Sequence, residues 1–300
     1  MLKLPTLVTG PALADWIEAS LLAAHGDGIS RITDTAIVDV LAEADFADPD
    51  IYLESIIQTV RLRRNAISQL YPIARSGLGF SLRGDWVNHL VYSFMLLTSL
   101  NQIYGELAFR EGTANRPAEL FEDLTALAIR KYLNCDVLRI GAPRRLPIPA
   151  AFPAALDYIA AEINEAIGQR DLEDHSSGDD GVDLVAWVSF KDQREGQALL
   201  FAQCSIGTDW RNKRDGVSLD LWRRHIDWHA GPLPLKSFAV PFHHERSSWR
   251  ETSTRAGIVL DRLRIAKLVP NRSLANSFRQ KLTQWSRQRL RAVGGLAIEA

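Results

Sequence analysis

The sequence of 300 residues predicts a mixed α/β protein in which a helical N-terminal region precedes a small mixed sheet flanked by helices. Three observations point there. Apolar residues recur at helical spacing through the first hundred or so positions. From about residue 118 the pattern alternates between helix and strand. No G-x-G-x-x-G follows a strand and no G-x-x-x-x-G-K-[ST] occurs, which argues against a dinucleotide fold and a P-loop.

Composition narrows the class. An apolar share of 46% and a charged share of 24% are those of an ordinary globular chain, long enough for a proper core. Net charge is −1 at pH 7, so nucleic-acid binding would require a local basic face. Cys135 and Cys204 sit in apolar contexts and form no disulfide framework, as suits a reducing cytoplasm. The N-terminus lacks a charged-then-apolar signal pattern and no apolar run reaches membrane-spanning length. A cytoplasmic protein without a membrane partner is therefore expected.

The elements follow in order. Residues 11–24 open with Pro11 and carry Leu13, Trp16, Ile17, Leu21 and Leu22 at helical spacing. Asp34 can cap a helix over 35–44, and Asp48-Pro49-Asp50 starts another. That third helix ends in Arg61, Arg63 and Arg64, read either as a solvated C-terminus or as a phosphate-contacting patch. Residues 76–79 (S-G-L-G) are a break, after which Asp85 caps an apolar helix over 86–100. The polar run 110–117 marks a boundary. It divides residues 1–110 from an α/β domain over 111–270, with a basic helix and tail over 271–300.

In that second region, 118–133 is a strong amphipathic helix with Glu119, Glu122 and Asp123 in its first turns. A strand over 137–140 and a helix over 152–167 follow. Strands over 182–190 and 198–204 flank a polar hairpin, so Asp183 and Gln203 can be neighbours. Residues 219–229 read as a Trp- and Arg-rich helix, and 237–242 and 257–263 as strands. Residues 265–269 extend the last strand or form another, and 272–289 is a terminal basic helix.

Phe121-Glu122 on a helix, the loop G-D-D-G-V-D over 178–183 and the strand end Gln203-Cys204 occur in that order. Together they resemble the PD-(D/E)xK nuclease superfamily, in its restriction-endonuclease-like, Mrr-like branch, over roughly residues 118–245. The resemblance implies a restriction-endonuclease-like core and a metal-dependent deoxyribonuclease acting in restriction or antiviral defence. Mg²⁺ (or Mn²⁺) would be held by Asp183 first, by Gln203 through its amide oxygen, and by Glu122 from the helix. DNA is the implied partner, with a homodimer or an associated defence subunit such as an ATPase or sensor beside it. One departure stands out: the family's lysine position holds Ser205. The missing charge is assigned to Lys213, with Lys191 a poorer candidate.

Arg211, Arg214, Arg223 and Arg224, interleaved with Trp210 and Trp222, fit a nucleic-acid cleft by charge and stacking. Equally, the tryptophans are core and the arginines solvated. Two alternatives remain. One is a catalytically impaired nuclease-fold subunit that binds nucleic acid or a partner. The other is a zinc hydrolase using His225 and His229, four residues apart, although Ile226 stands where H-E-x-x-H requires Glu.

Overall fold

The structure, a computed structural model, describes residues 1–25, 31–105, 116–169, 180–228 and 231–295. The chain divides into two compact units. The first comprises Met1–Pro117, Pro241–His243 and Arg262–Ala300, and the second Ala118–Val240 and His244–Asp261. This division puts the C-terminal helix with the N-terminal helices, where the sequence pattern had set residues 271–300 apart.

The first unit opens with α1 (Gly10–Ala24), whose N-terminus is capped by the Thr9 hydroxyl accepting from the Ala12 amide. Then come β1 (Arg31–Thr33), α2 (Asp34–Glu43) and α3 (Pro49–Ile67). Next are β2 (Ile73–Arg75), β3 (Gly79–Leu82), the wholly buried α4 (Leu90–Ser99) and the single turn α5 (Asn101–Tyr104). The expected break at 76–79 is the turn of a hairpin within an antiparallel β1-β3-β2 sheet. Its strands are too short for alternation to register in the sequence.

Arg63 corrects both readings of the third helix's end. It is fully buried, because α3 packs along α1 and position 63 faces inward. Its Nη1 lies 2.6 Å from Glu18 Oε1 and 2.7 Å from Asp15 Oδ1. The hydroxyls of Tyr71 and Tyr92 donate to the same Glu18 at 2.5 and 2.8 Å. Arg61 and Arg64 are exposed.

The second unit begins with α6 (Pro117–Leu133), β4 (Asp136–Arg139), α7 (Phe152–Ile163) and β5 (Ala166–Ile167). It continues through β6 (Leu184–Val188), β7 (Ala198–Cys204), α8 (Trp210–Lys213), α9 (Leu219–His225) and β8 (Ile226–Asp227). It closes with β9 (Leu235–Ala239), α10 (Arg246–Ala256) and β10 (Ile258–Leu260). Five strands form one mixed sheet in the order β10-β9-β7-β6-β4. β4, β6 and β7 pair antiparallel, whereas β9 joins β7, and β10 joins β9, in parallel.

Alternation along β6 and β7 sends Val185, Trp187, Leu199 and Phe201 into one core with Phe152, Leu156 and Ile159 of α7 and Trp222 of α9. Two helices expected to be longer stop early. α7 ends at Ile163, where Asn164 turns left-handed, and α9 ends at His225, so that β5 and β8 can pair. Helix α10 had no counterpart in the sequence reading.

The chain re-enters the first unit through α11 (Arg262–Leu268) and α12 (Asn276–Gly294). The run at 265–269, read as strand, thus lies largely in a helix: so short an apolar run does not distinguish the two by periodicity. Arg262 is fully buried and forks onto Asp15, 2.8 Å to each oxygen. Burial would raise the Asp15 pKa, but the Arg262 and Arg63 guanidiniums outweigh it and hold it at about 2. Among the described residues no helix is long and apolar enough to cross a membrane.

Candidate functional site

The site forms where β6 begins and β7 ends. Asp183 lies one step before the register pair Leu184↔Ala202 and is clamped by backbone on both sides. Its amide donates to Ala202 O at 2.9 Å, and its carbonyl accepts from the Ile140 and Gly141 amides at 2.7 and 3.1 Å. Its side chain accepts from the Cys204 amide through Oδ2 at 2.7 Å. Four backbone contacts thereby fix where Oδ1 points.

It points at Gly141. A Cβ built on that glycine would stand 2.9 Å from Asp183 Oδ1 and 2.9 Å from Glu122 Oε2, so both carboxylates reach the space that the absent side chain leaves. Glu122 comes from α6 and is only 7% exposed. Burial, and then the Asp183 charge, push its pKa up to about 8 against the pull of Arg139. The Arg139 Nε lies 2.5 Å from Glu122 Oε2. That contact is a direct ion pair between two buried atoms.

Gln203 occupies the neighbouring position. Its amide is pressed against Gly216, where a Cβ would fall 2.4 Å from Oε1. The Gly216 amide is held by Lys213 O at 2.9 Å, and its own carbonyl is packed so closely on Gly181 (φ +74°) that a side chain at 181 would strike it. Gln203 Oε1 is buried and accepts no hydrogen bond among the described residues. The Cys204 thiol is pushed well above its usual pKa by burial and then by Asp183 and Glu122, which keeps it protonated.

Lys213 is turned elsewhere. Its half-exposed ammonium lies 3.6 Å from Asp209 Oδ2, one helical turn back. Lys191 pairs with Asp136 at 2.5 Å. Asp136 is opposite Trp187, so that pair sits toward the far end of β6 from Asp183. Ser205 is buried, with its amide bound to Ala239 O. The cation beside the carboxylates is Arg139, which the sequence reading missed. Its position on the strand after the Glu122 helix, opposite Leu184, was the available signal.

The arginines proposed for nucleic acid separate. Arg211 lies over the Trp210 ring, 4.5 Å from its centroid, and Arg223 and Arg224 are exposed on α9. Arg214 is bound to Glu251 of α10 at 2.7 Å. Trp210 and Trp222 are both buried, so they are core residues and offer no stacking face. Of the zinc pair, His225 is buried with Nε2 2.6 Å from Asp180 Oδ2, and His229 lies outside the described residues. Asp180 O also accepts from Trp222 Nε1, which ties the loop before Asp183 to α9.

Among the described residues no three His, Cys, Asp or Glu side chains are grouped to hold a metal ion. The donors over Gly141 are two carboxyl groups, while the Gln203 amide oxygen is turned toward Gly216. Such a set suits Mg²⁺, which needs one or two carboxylates and keeps several waters, better than a closed zinc site. Compared with known proteins, the chain matches no family model, no curated protein and no solved structure.

Proposed function

We propose that the second unit is a restriction-endonuclease-like domain that hydrolyses DNA phosphodiester bonds with Mg²⁺ or Mn²⁺. The resemblance of residues 118–245 to the PD-(D/E)xK nucleases motivates the reading. The observation that carries it is the convergence of the Glu122 and Asp183 carboxyl groups over Gly141, with Arg139 beside Glu122. The buried Gln203 Oε1 is a further oxygen in need of a partner.

A divalent cation held there would supply Lewis-acid charge to a scissile phosphate and its attacking water. Asp183, locked by backbone amides, would hold it rigidly. Glu122, its pKa pushed up to about 8, holds its proton at neutral pH in the metal-free site and would release it as a cation bound. Arg139 would balance charge beside Glu122. Restriction or defence against foreign DNA, as a homodimer or beside an ATPase or sensor subunit, follows from the resemblance alone.

A second reading has its own support. The lysine position holds a buried serine and Lys213 is paired with Asp209, which favours a catalytically impaired subunit that binds without cutting. Incubating the protein with plasmid, linear and single-stranded DNA plus Mg²⁺ or Mn²⁺ separates the two. Cleavage lost in Asp183→Ala supports the nuclease. Manganese binding that depends on Asp183, without cleavage, supports the impaired subunit. Equal cleavage by both proteins would move the site elsewhere.

A further inference from the structure

We infer that the outer face of α12, in the first unit, is a docking surface for duplex DNA. Between Arg262 and Gly295 the chain carries nine arginines and lysines and no aspartate or glutamate, although its net charge is −1. Two of the nine, Arg262 and Arg289, are buried and used internally. The rest of that positive charge lies at or near the surface.

The inner face of α12 shows what the helix spends on folding. Leu282, Trp285, Ser286, Arg289 and Val293 are buried at helical spacing. Trp285 meets the edge of Phe94 at 5.1 Å between centroids, and Arg289 Nη2 donates to Asn101 Oδ1 at 2.7 Å. The helix is therefore firmly seated on α4 without its outer side. That outer side presents Arg279, Arg287 and Arg291 one turn or two apart, with Gln280, Gln284 and Gln288 alongside, around an open depression of about 520 Å³. Arg279 is half-buried and donates to Asn271 O at 2.8 Å. Lys281, Arg287 and Arg291 are exposed and make no ion pair among the described residues.

Charge complementarity points to a polyanion, and the remaining chemistry selects among polyanions. A membrane-surface helix needs large apolar side chains on the face it inserts, and this face has none. Single strands are held by stacking on several aromatic rings, whereas of the two rings in α12 Trp285 is buried and Phe278, at the N-terminal end, is half-buried. Double-stranded RNA closes its major groove to side chains. Duplex DNA accepts a helix in a groove about 12 Å wide, where arginine meets phosphate or guanine and glutamine meets adenine. From Arg279 to Arg291 the helix rises about 18 Å, close to five base pairs of duplex. The inference shares with the nuclease reading only its polyanion and does not need the metal centre.

The test is fluorescence anisotropy of a labelled 20-base-pair duplex in EDTA, so that cleavage plays no part. Wild type is expected to bind with steep salt dependence. Replacing Arg287 and Arg291 together by Gln should flatten the logarithmic salt slope by about 1.8, or about 12-fold less affinity lost between 50 and 200 mM salt. The double Lys replacement should keep the slope. Arg194→Gln, which removes an exposed arginine of the second unit away from the carboxylates, should keep the slope, and because EDTA withholds the cation, failure of the metal site and failure of this surface are told apart. An unaltered slope in the Gln variant would overturn the inference. So would absence of duplex binding at 50 mM salt, tighter binding to single strands, or binding only to phosphatidylserine vesicles.

Discussion

The unusual protonation of Glu122 has a consequence for stability that isolates the site from everything else in the chain. An ordinary glutamate ionises at 4.5, whereas Glu122 in the folded protein does so at about 8. Between those pH values the folded state holds a proton that the unfolded state has lost, so metal-free stability falls as pH rises. The full contribution is present below pH 4.5 and gone above pH 8. At 1.36 kcal/mol per pH unit the loss amounts to about 5 kcal/mol, dominated by the cost of burying the charge beside Asp183. Glu122→Gln removes the ionisation while keeping shape. Urea unfolding of both proteins in EDTA, followed by tryptophan fluorescence from pH 5 to 9, reads the difference. Wild type should lose about 2 M in midpoint relative to the variant across that range, for an m-value of about 2–3 kcal/mol/M. Parallel pH profiles for the two proteins would refute the reasoning, because a Glu122 exposed to solvent or fully neutralised by Arg139 would show no such term. Manganese added at pH 8 should restore the wild-type midpoint and leave the variant's less changed, since a bound cation answers the same charge.

Other perturbations address separate links. Gly141→Ala places a methyl 2.9 Å from both carboxylate oxygens and should weaken Mn²⁺ binding at least tenfold by calorimetry, with the fold retained by circular dichroism. Gly216→Ala, whose Cβ would stand 2.4 Å from Gln203 Oε1, should displace that amide and weaken Mn²⁺ binding as well, and unchanged affinity would remove Gln203 from the site. Lys213→Ala should leave any DNA cleavage within a few-fold of wild type, because its ammonium is engaged with Asp209. A hundredfold loss would return Lys213 to the site. Arg262→Ala strips Asp15 of its bidentate partner inside the first unit and should cost about 3–5 kcal/mol in chemical denaturation.

Local chemistry made much of the architecture legible. Proline and capping side chains announced α1 and α3, amphipathic spacing announced α6, and the apolar run of β7 matched its strand residue for residue. All of these depend on neighbours within a few positions. The pairing of Asp183 with the end of β7 was foreseeable from two strands and a short hairpin, and Glu122 entered through the family resemblance.

What the sequence left open are the features decided by partners far along the chain. Arg63 and Glu18 are 45 positions apart, and Arg262 and Asp15 are 247 apart. A helix-terminal arginine looks the same in sequence whether it meets water or two buried carboxylates. The cation at the candidate site likewise had to be found in space. Spacing favoured Lys213, but its own helix supplies Asp209 one turn back, whereas β4 lies antiparallel to β6 and carries Arg139 to Glu122. Trp210 and Trp222 were equally compatible with a stacking face and a core until the packing around them put both in the interior. By itself the sequence determined the periodicity, the caps and the inventory of charges. Only tertiary structure decided which charges are desolvated and by what they are met, because burial and ion pairing are properties of contacts and not of order along the chain.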